Sequence, residues 1–323
     1  MRAALLLLAI SLSASERLTV PLGLDQYIPA PPENPLRPDV TALGRDLFFD
    51  KRLSRDGTIS CSSCHEPSRA FTDNRPFAIG IRGQKVPRRS PPIFNRAWGK
   101  SFFWDGRAET LEQQVLGPIA NPKEMDLTIE ELLVRLRRDP SYNSRFRELW
   151  NREPDSQTLA WALAGYLRTI LAGDSPYDRF VAGDRNALTQ RQQLGLRLFR
   201  SKANCHACHI GPNLTDERFH NTGTAFNNGQ WTDPGRFAVT NLAADRGAFK
   251  TPSIREAAKT APYMHNGSLA TLEDVVDFYN KGGRANPFLD PEINPLNLSP
   301  EEQTALVDFL RALTGTIREG WPQ

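Results

Sequence analysis

Two short signatures, Cys61-Ser62-Ser63-Cys64-His65 and Cys205-His206-Ala207-Cys208-His209, constrain this chain more than any other feature. Each has the C-x-x-C-H spacing in which two cysteines add to the vinyl groups of a haem and the next histidine ligates its iron. The chain has 4 cysteines, and the signatures use all of them. None is left for a disulfide framework or a separate thiol centre. A zinc ribbon would place its cysteine pairs about 15–20 residues apart, whereas these lie in opposite halves of the sequence. A local disulfide within each pair is open in an oxidising compartment, but it leaves unexplained why each pair is followed at once by one of only 5 histidines. Two covalently bound haem c groups use every residue of both signatures.

At 323 residues the chain can hold two domains of ordinary size, each with its own core. Its 25 prolines predict many pinned, irregular connections between helices. A formal charge of +3 gives no argument for nucleic acid or an acidic membrane surface as a partner. Met1-Arg2, an apolar run from Ala3 to Leu12 and the small residues Ser13-Ala14-Ser15 read as a secretory signal over 1–15. The run is too short to span a bilayer and has no polar face, so no stable membrane insertion is expected. Attachment of haem to cysteine also takes place outside the cytoplasm. An exported, periplasmic protein is expected.

Residues 17–37 are Pro-rich and read as an extended leading segment. Thr41 to Phe49 follows as a short helix with an apolar stripe at Leu43, Leu47 and Phe48, leading into the first signature. The same order recurs at Leu194-Gly195-Leu196-Arg197-Leu198-Phe199-Arg200-Ser201 before Cys205. Phe71-Thr72-Asp73 and Leu214-Thr215-Asp216 then follow the two histidines at similar distances. This repeat predicts a mainly α fold with little β. Two cytochrome c-like haem domains, 16–175 and 176–323, would pack around an inter-haem interface.

Between the signatures, Leu111 to Leu116 and Ile129 to Leu136 have helical spacing, with Thr128 and Glu131 forming a capping box. Gln157 to Leu171 reads as the helix that closes the first domain. The boundary falls where Gly, Asp and Pro cluster, from Gly173 to Asp184. Gly223 to Gly247 is a long loop or a short hairpin. Thr271 to Asp274 opens a helix to Asn280, and Ser299 to Glu302 opens another through Leu313.

Up to this point an electron carrier and an enzyme are equally allowed, because the attachment signature says nothing about the sixth position on each iron. Further motifs separate them: Pro87-Arg88-Arg89-Ser90-Pro91, Phe103-Trp104-Asp105-Gly106-Arg107, Asn121-Pro122-Lys123-Glu124-Met125, Ala261-Pro262-Tyr263-Met264-His265-Asn266-Gly267 and Leu313-Thr314-Gly315. With the two signatures, these resemble the bacterial di-haem cytochrome c peroxidase and MauG family over nearly the whole mature length.

The resemblance implies that peroxide reacts at the first haem, ligated by His65, and that the second, ligated by His209, passes electrons to it. Trp104 matches a tryptophan placed between the porphyrins. Taken alone, Trp104 and Trp98 would read as core residues. Glu124 matches the family's distal acid, with Gln114 and Pro118 as pocket neighbours. A carboxyl with a raised pKa suits proton transfer between the peroxide oxygens.

Ile81 stands where other members carry a removable distal histidine, so the first haem should be open without prior reduction. Tyr279 stands where other members carry a distal methionine on the second haem, which points to a low-potential, MauG-like site. Met264 and His265 remain rival ligands on chemical grounds. His206 lies inside its signature and faces away from ligation of the same iron, and His220 reads as a hydrogen-bonding residue. The family's calcium, held partly by carbonyls equivalent to those of Thr260 and Pro262, would need an asparagine where this chain has Arg89.

The resemblance therefore implies a peroxidase that takes hydrogen peroxide and oxidises a small redox protein, a cytochrome c or a cupredoxin. A MauG-like alternative is peroxide-dependent oxidation of side chains in a partner protein. The reading from another class is a non-catalytic di-haem electron carrier, with both irons six-coordinate.

Overall fold

In the computed structural model, which describes residues 18–321, Pro38 begins the first helix ahead of the expected Thr41. Its fixed φ and missing N–H suit the first helical position. The 1–15 secretory segment lies outside the described residues. Helix α1 (Pro38–Phe49) buries Leu43, Leu47 and Phe48, the stripe that the sequence marks. Helix α2 (Leu111–Ala120) continues past Leu116 through Pro118, whose missing N–H leaves the Gln114 carbonyl without its helical donor. The capping box of Thr128 and Glu131 opens α3 (Ile129–Arg138). Helix α4 (Pro140–Trp150), which the sequence reading passes over, is capped by Asp139 and buries Tyr142 and Phe146.

Helix α5 (Ser156–Arg168) stops short of Leu171. The reason is non-local: strand β1 (Leu171–Gly173) is recruited by β6 (Thr316–Arg318) from the far end of the chain, in antiparallel register Leu171 to Arg318. The Gly173–Asp184 segment also holds α6 (Pro176–Val181), opened by a Ser175–Asp178 capping box. Helix α7 (Gln190–Arg200) precedes the second signature.

The Gly223–Gly247 stretch contains a hairpin of β3 (Phe226–Asn227) and β4 (Gln230–Trp231), then α8 (Phe237–Thr240). It is flanked by the paired β2 (Phe219–His220) and β5 (Phe249–Lys250). Helix α9 (Leu272–Asn280) begins at the predicted Thr271 box, and α10 (Pro300–Arg311) begins at Ser299 but ends before Leu313. The fold is mainly α, as expected, with strands only in two-stranded pairs among the described residues.

Two hydrophobic cores divide the chain. One gathers residues from Leu43 to Ala172 and the other from Leu188 to Leu313. Each is built on a helix pair in backbone contact. A Cβ on Gly44 of α1 would lie 1.9 Å from the Ala162 carbonyl of α5, and one on Gly195 of α7 would lie 2.0 Å from the Ala305 carbonyl of α10. Only glycine lets these helices approach so closely.

The halves are tied together by β1 and β6 and by Arg255, which is paired with Asp178 in its own half at 2.8 Å and donates to the Gly23 carbonyl of the other at 2.7 Å. Arg88 adds a third tie, donating to both Asp105 and Asp233 at 2.7 Å. No helix among the described residues is long and apolar enough to cross a membrane.

Candidate haem cavities and the junction between them

Both signatures fold as a tight 3₁₀ turn, Cys61–Ser63 and Cys205–Ala207, that puts the following histidine against the core. His65 Nδ1 donates to the Phe71 carbonyl at 3.1 Å, and His209 Nδ1 donates to the Leu214 carbonyl at 3.1 Å. Each bond fixes the tautomer and leaves the Nε2 lone pair for a metal. Burial pushes His65 down to about 4 and lowers His209 as well, so both are neutral and able to ligate. Each pair of cysteines is free of disulfide and lines a cavity with its histidine. These donors, and the apolar cavity walls beside them, fit covalently attached haem.

The repeat extends into a second loop. Phe102 pairs with Ala108, and Tyr263 pairs with Leu269, each across a turn. The turns match in detail, with φ of 65° at Phe103 and 67° at Met264, and 68° at Gly106 and 62° at Gly267. Trp104 therefore occupies the place of His265. The loops exchange bonds across the junction: Arg89 N donates to the His265 carbonyl at 2.9 Å, and Lys250 N to the Trp104 carbonyl at 2.8 Å. Trp104 Nε1 donates to the Arg89 carbonyl at 3.0 Å. Trp104, Arg89 and Lys250 line both cavities. Trp98 instead donates to the Tyr27 carbonyl and lines neither cavity.

The first cavity, about 670 Å³, brings Glu124, Gln114, Pro118 and Trp104 together with Cys61, Cys64 and His65. Burial raises the Glu124 carboxyl, against a smaller lowering by the Asn121 hydrogen bond and the Arg107 charge. Asn121 Nδ2 donates to Glu124 Oε1 at 2.7 Å. Arg107 lies 3.5 Å above the Phe103 ring and pairs with Asp105 at 3.1 Å. Ile81 is fully buried, its N–H bonded to the Glu124 carbonyl at 2.7 Å, and it is outside the cavity lining.

The second cavity, about 210 Å³, is lined by Cys205, Cys208, His209, Tyr279, Met264 and His265. Burial raises the Tyr279 phenol well above its ordinary value, so its phenolate needs a cation beside it. His265 is stacked on Phe249, with ring centroids 3.6 Å apart. His220 bonds to Asp290 at 2.7 Å and Asp216 at 2.9 Å. Cys208, Asp216 and His220 have the spacing of a metal site, but thioether formation at Cys208 would take its sulfur out of that set. His206 is exposed and outside both linings.

The junction does not fit calcium. Arg89 Nη2 donates to the Thr260 carbonyl at 2.7 Å and to Thr72 Oγ1 at 3.3 Å, turning one expected calcium ligand toward a guanidinium. A divalent ion ~4 Å from that charge would be repelled by about 8 kcal/mol at an effective dielectric of ~20. Burial pushes Arg89 down to about 10, which leaves it charged at neutral pH.

Sequence reading missed Lys250 and gave no separate role to Asn121 and Arg107, which it quoted only within motifs. Aligning Arg89-Ser90-Pro91-Pro92-Ile93 with Lys250-Thr251-Pro252-Ser253-Ile254 would have found Lys250. The structure bears that alignment out, since Thr72 Oγ1 donates to the Ser90 carbonyl at 2.8 Å and Thr215 Oγ1 to the Thr251 carbonyl at 2.7 Å.

Residues 38–186 match the di-haem cytochrome c peroxidase family. The chain is 42% identical over 290 residues to methylamine utilization protein MauG of Methylorubrum extorquens, covering 89% of this chain and 82% of that protein. It is 38% identical over 287 residues to cytochrome c551 peroxidase of Nitrosomonas europaea, covering 88% and 81%. Among solved structures, a MauG-like protein associated with microbial copper homeostasis superposes with a TM-score of 0.82 at 36% identity, covering 90% of this chain and 94% of that one.

Proposed function

Since the chain belongs to the di-haem cytochrome c peroxidase and MauG family and is an oxidoreductase acting on peroxide through two haem c groups, we propose that its two cavities divide that work unequally. Peroxide enters the cavity of Cys61, Cys64 and His65, while the cavity of Cys205, Cys208 and His209 is closed by Tyr279. The observation that carries this reading is that Glu124, Gln114 and Pro118 line the first cavity and Tyr279 the second. When bound, the haems supply redox-active irons, one to meet peroxide and one to relay electrons.

The chain's own residues supply the rest. His65 and His209 are neutral and held by carbonyls, so each presents Nε2. Reducing peroxide to two waters consumes two electrons and two protons. Asn121 holds Glu124 Oε1, and the remaining carboxyl oxygen carries a proton from one peroxide oxygen to the other, so that water leaves. The raised pKa keeps that proton available toward neutral pH. Trp104, fixed by the Arg89 carbonyl, stands between the cavities as the path for electrons.

Two haem domains, 16–175 and 176–323, exported to the periplasm, complete the reading. The electron source is a small cytochrome c or cupredoxin. The MauG-like alternative, oxidation of side chains in a partner protein, is favoured by one observation: Tyr279 lines the second cavity, and a tyrosinate ligand favours oxidised iron. Calcium is not part of the proposal. The test is stopped-flow absorbance of the ferric holoprotein with one equivalent of peroxide. A new oxidised species that decays faster with reduced cytochrome c supports donor oxidation, whereas no reaction with peroxide removes the proposal.

A further inference from the structure

We propose that Arg89 is a tethered replacement for the calcium ion of the inter-haem junction, a fixed single positive charge that makes this protein independent of divalent cations. The guanidinium holds the Thr260 carbonyl at 2.7 Å, where a cation's ligand was expected, and it is only 5% exposed. Among the described residues no carboxylate lies within 4.0 Å of it, and its Nε has no hydrogen-bond partner.

The neighbouring cations are treated differently. Arg88 is satisfied by Asp105 and Asp233 at 2.7 Å. Lys250, which occupies the equivalent place in the repeat, faces Glu217 at 3.5 Å, and that acid also binds Arg96 at 2.8 Å. Of the equivalent pair, Lys250 has an acid in ion-pair contact and Arg89 has none, feeling the charge of Asp73 only at longer range.

A buried cation without an ion-pair partner is costly unless something anionic meets it. Arg89 lines both cavities, and each haem brings two carboxylates. The free donors of Arg89 are therefore available to the cofactor carboxylates, the role an intervening cation would have. A calcium ion can be lost to a chelator, but a side chain cannot.

This inference rests on the two-haem reading and not on peroxide reactivity, so a calcium measurement can fail while peroxide still reacts. The native holoprotein is dialysed against EGTA and against calcium, then assayed for metal content, ferric absorption spectrum and melting temperature. The expected result is no retained calcium and superimposable spectra and melting curves. One calcium retained per chain after dialysis against calcium-free buffer, with a spectral or thermal change on chelation, overturns the proposal. Arg89→Asn removes the guanidinium and adds an amide oxygen, and it is expected to take up about one calcium per chain and to become EGTA-sensitive in melting. A variant that keeps both haems, binds no calcium and melts as the native protein does overturns the claim that the guanidinium occupies the ion's place. The native measurement needs no variant, so a folding failure of Arg89→Asn leaves the test intact.

Discussion

The loops Phe102–Leu111 and Tyr263–Leu272 have nearly the same backbone but carry different chemistry. Both turn through a positive-φ residue and a positive-φ glycine, and both end on a threonine that caps the helix over the cavity, Thr110 for α2 and Thr271 for α9. At the same step along those helices one has Pro118 and the other Tyr279. Proline has no side-chain donor for a metal and tyrosine has one. The duplicated scaffold therefore sets where a haem can sit, and a few residues in the covering helix set what each haem can do.

The predictions try to break or sharpen that contrast. Glu124→Gln removes the acid from the first cavity only, and it is predicted to slow the peroxide reaction by about 10²–10⁴-fold while both haems stay bound. Stopped-flow absorbance measures this, and unchanged kinetics would take Glu124 out of the chemistry. Tyr279→Phe should convert the low-spin signal of the second haem and leave the first as it was. An unaltered electron paramagnetic resonance spectrum would transfer the ligand role to Met264 or His265.

Gly44→Ala and Gly195→Ala place a methyl against the Ala162 and Ala305 carbonyls, and each is expected to cost about 1–3 kcal/mol of stability. Similar losses by chemical denaturation of the holoprotein would support equivalent helix pairs, whereas a neutral result at one site would break the equivalence.

The smallest effect distinguishes two acids by sign. Burial alone would raise Glu217, but Arg96 and Lys250 outweigh it and hold the carboxyl below its ordinary value. Its contribution to stability is present above the ordinary carboxylate range and is lost as pH falls through the lower folded value. Glu124 is shifted upward, so its ionisation opposes folding and its contribution falls as pH rises through the ordinary value toward the folded one. Melting temperature against pH should fall less steeply on the acid side in Glu217→Gln, the other lowered carboxylates keeping the rest of the fall. In Glu124→Gln the curve should gain relative stability toward neutral pH.

Much of this was legible in local sequence. The haem signatures, the Thr128, Thr271 and Ser299 caps and the stripe on α1 depend on residues within a few positions of one another, and the structure has them where expected. What was not legible depends on distant partners. Leu171 continues an apolar run, yet it leaves the helix because Arg318 pairs with it. Helix α4 has only Tyr142, Phe146, Leu149 and Trp150 as an apolar face, a thin signal after the Asp139–Pro140 start. In the site, the family motif pointed to Glu124, Gln114, Pro118 and Trp104, and they line one cavity. Arg89 was marked by the family alignment at the calcium position, whereas the place of Lys250 was hidden, because it is defined by a bond to the opposite loop.

The central claim is that equal attachment sites hold unequal haems. Electron paramagnetic resonance of the ferric holoprotein, recorded before and after one equivalent of peroxide, tests it most directly. The account predicts one high-spin and one low-spin haem at the start and loss of both signals after peroxide. Two low-spin haems that are unchanged by peroxide would contradict it and would leave a di-haem electron carrier.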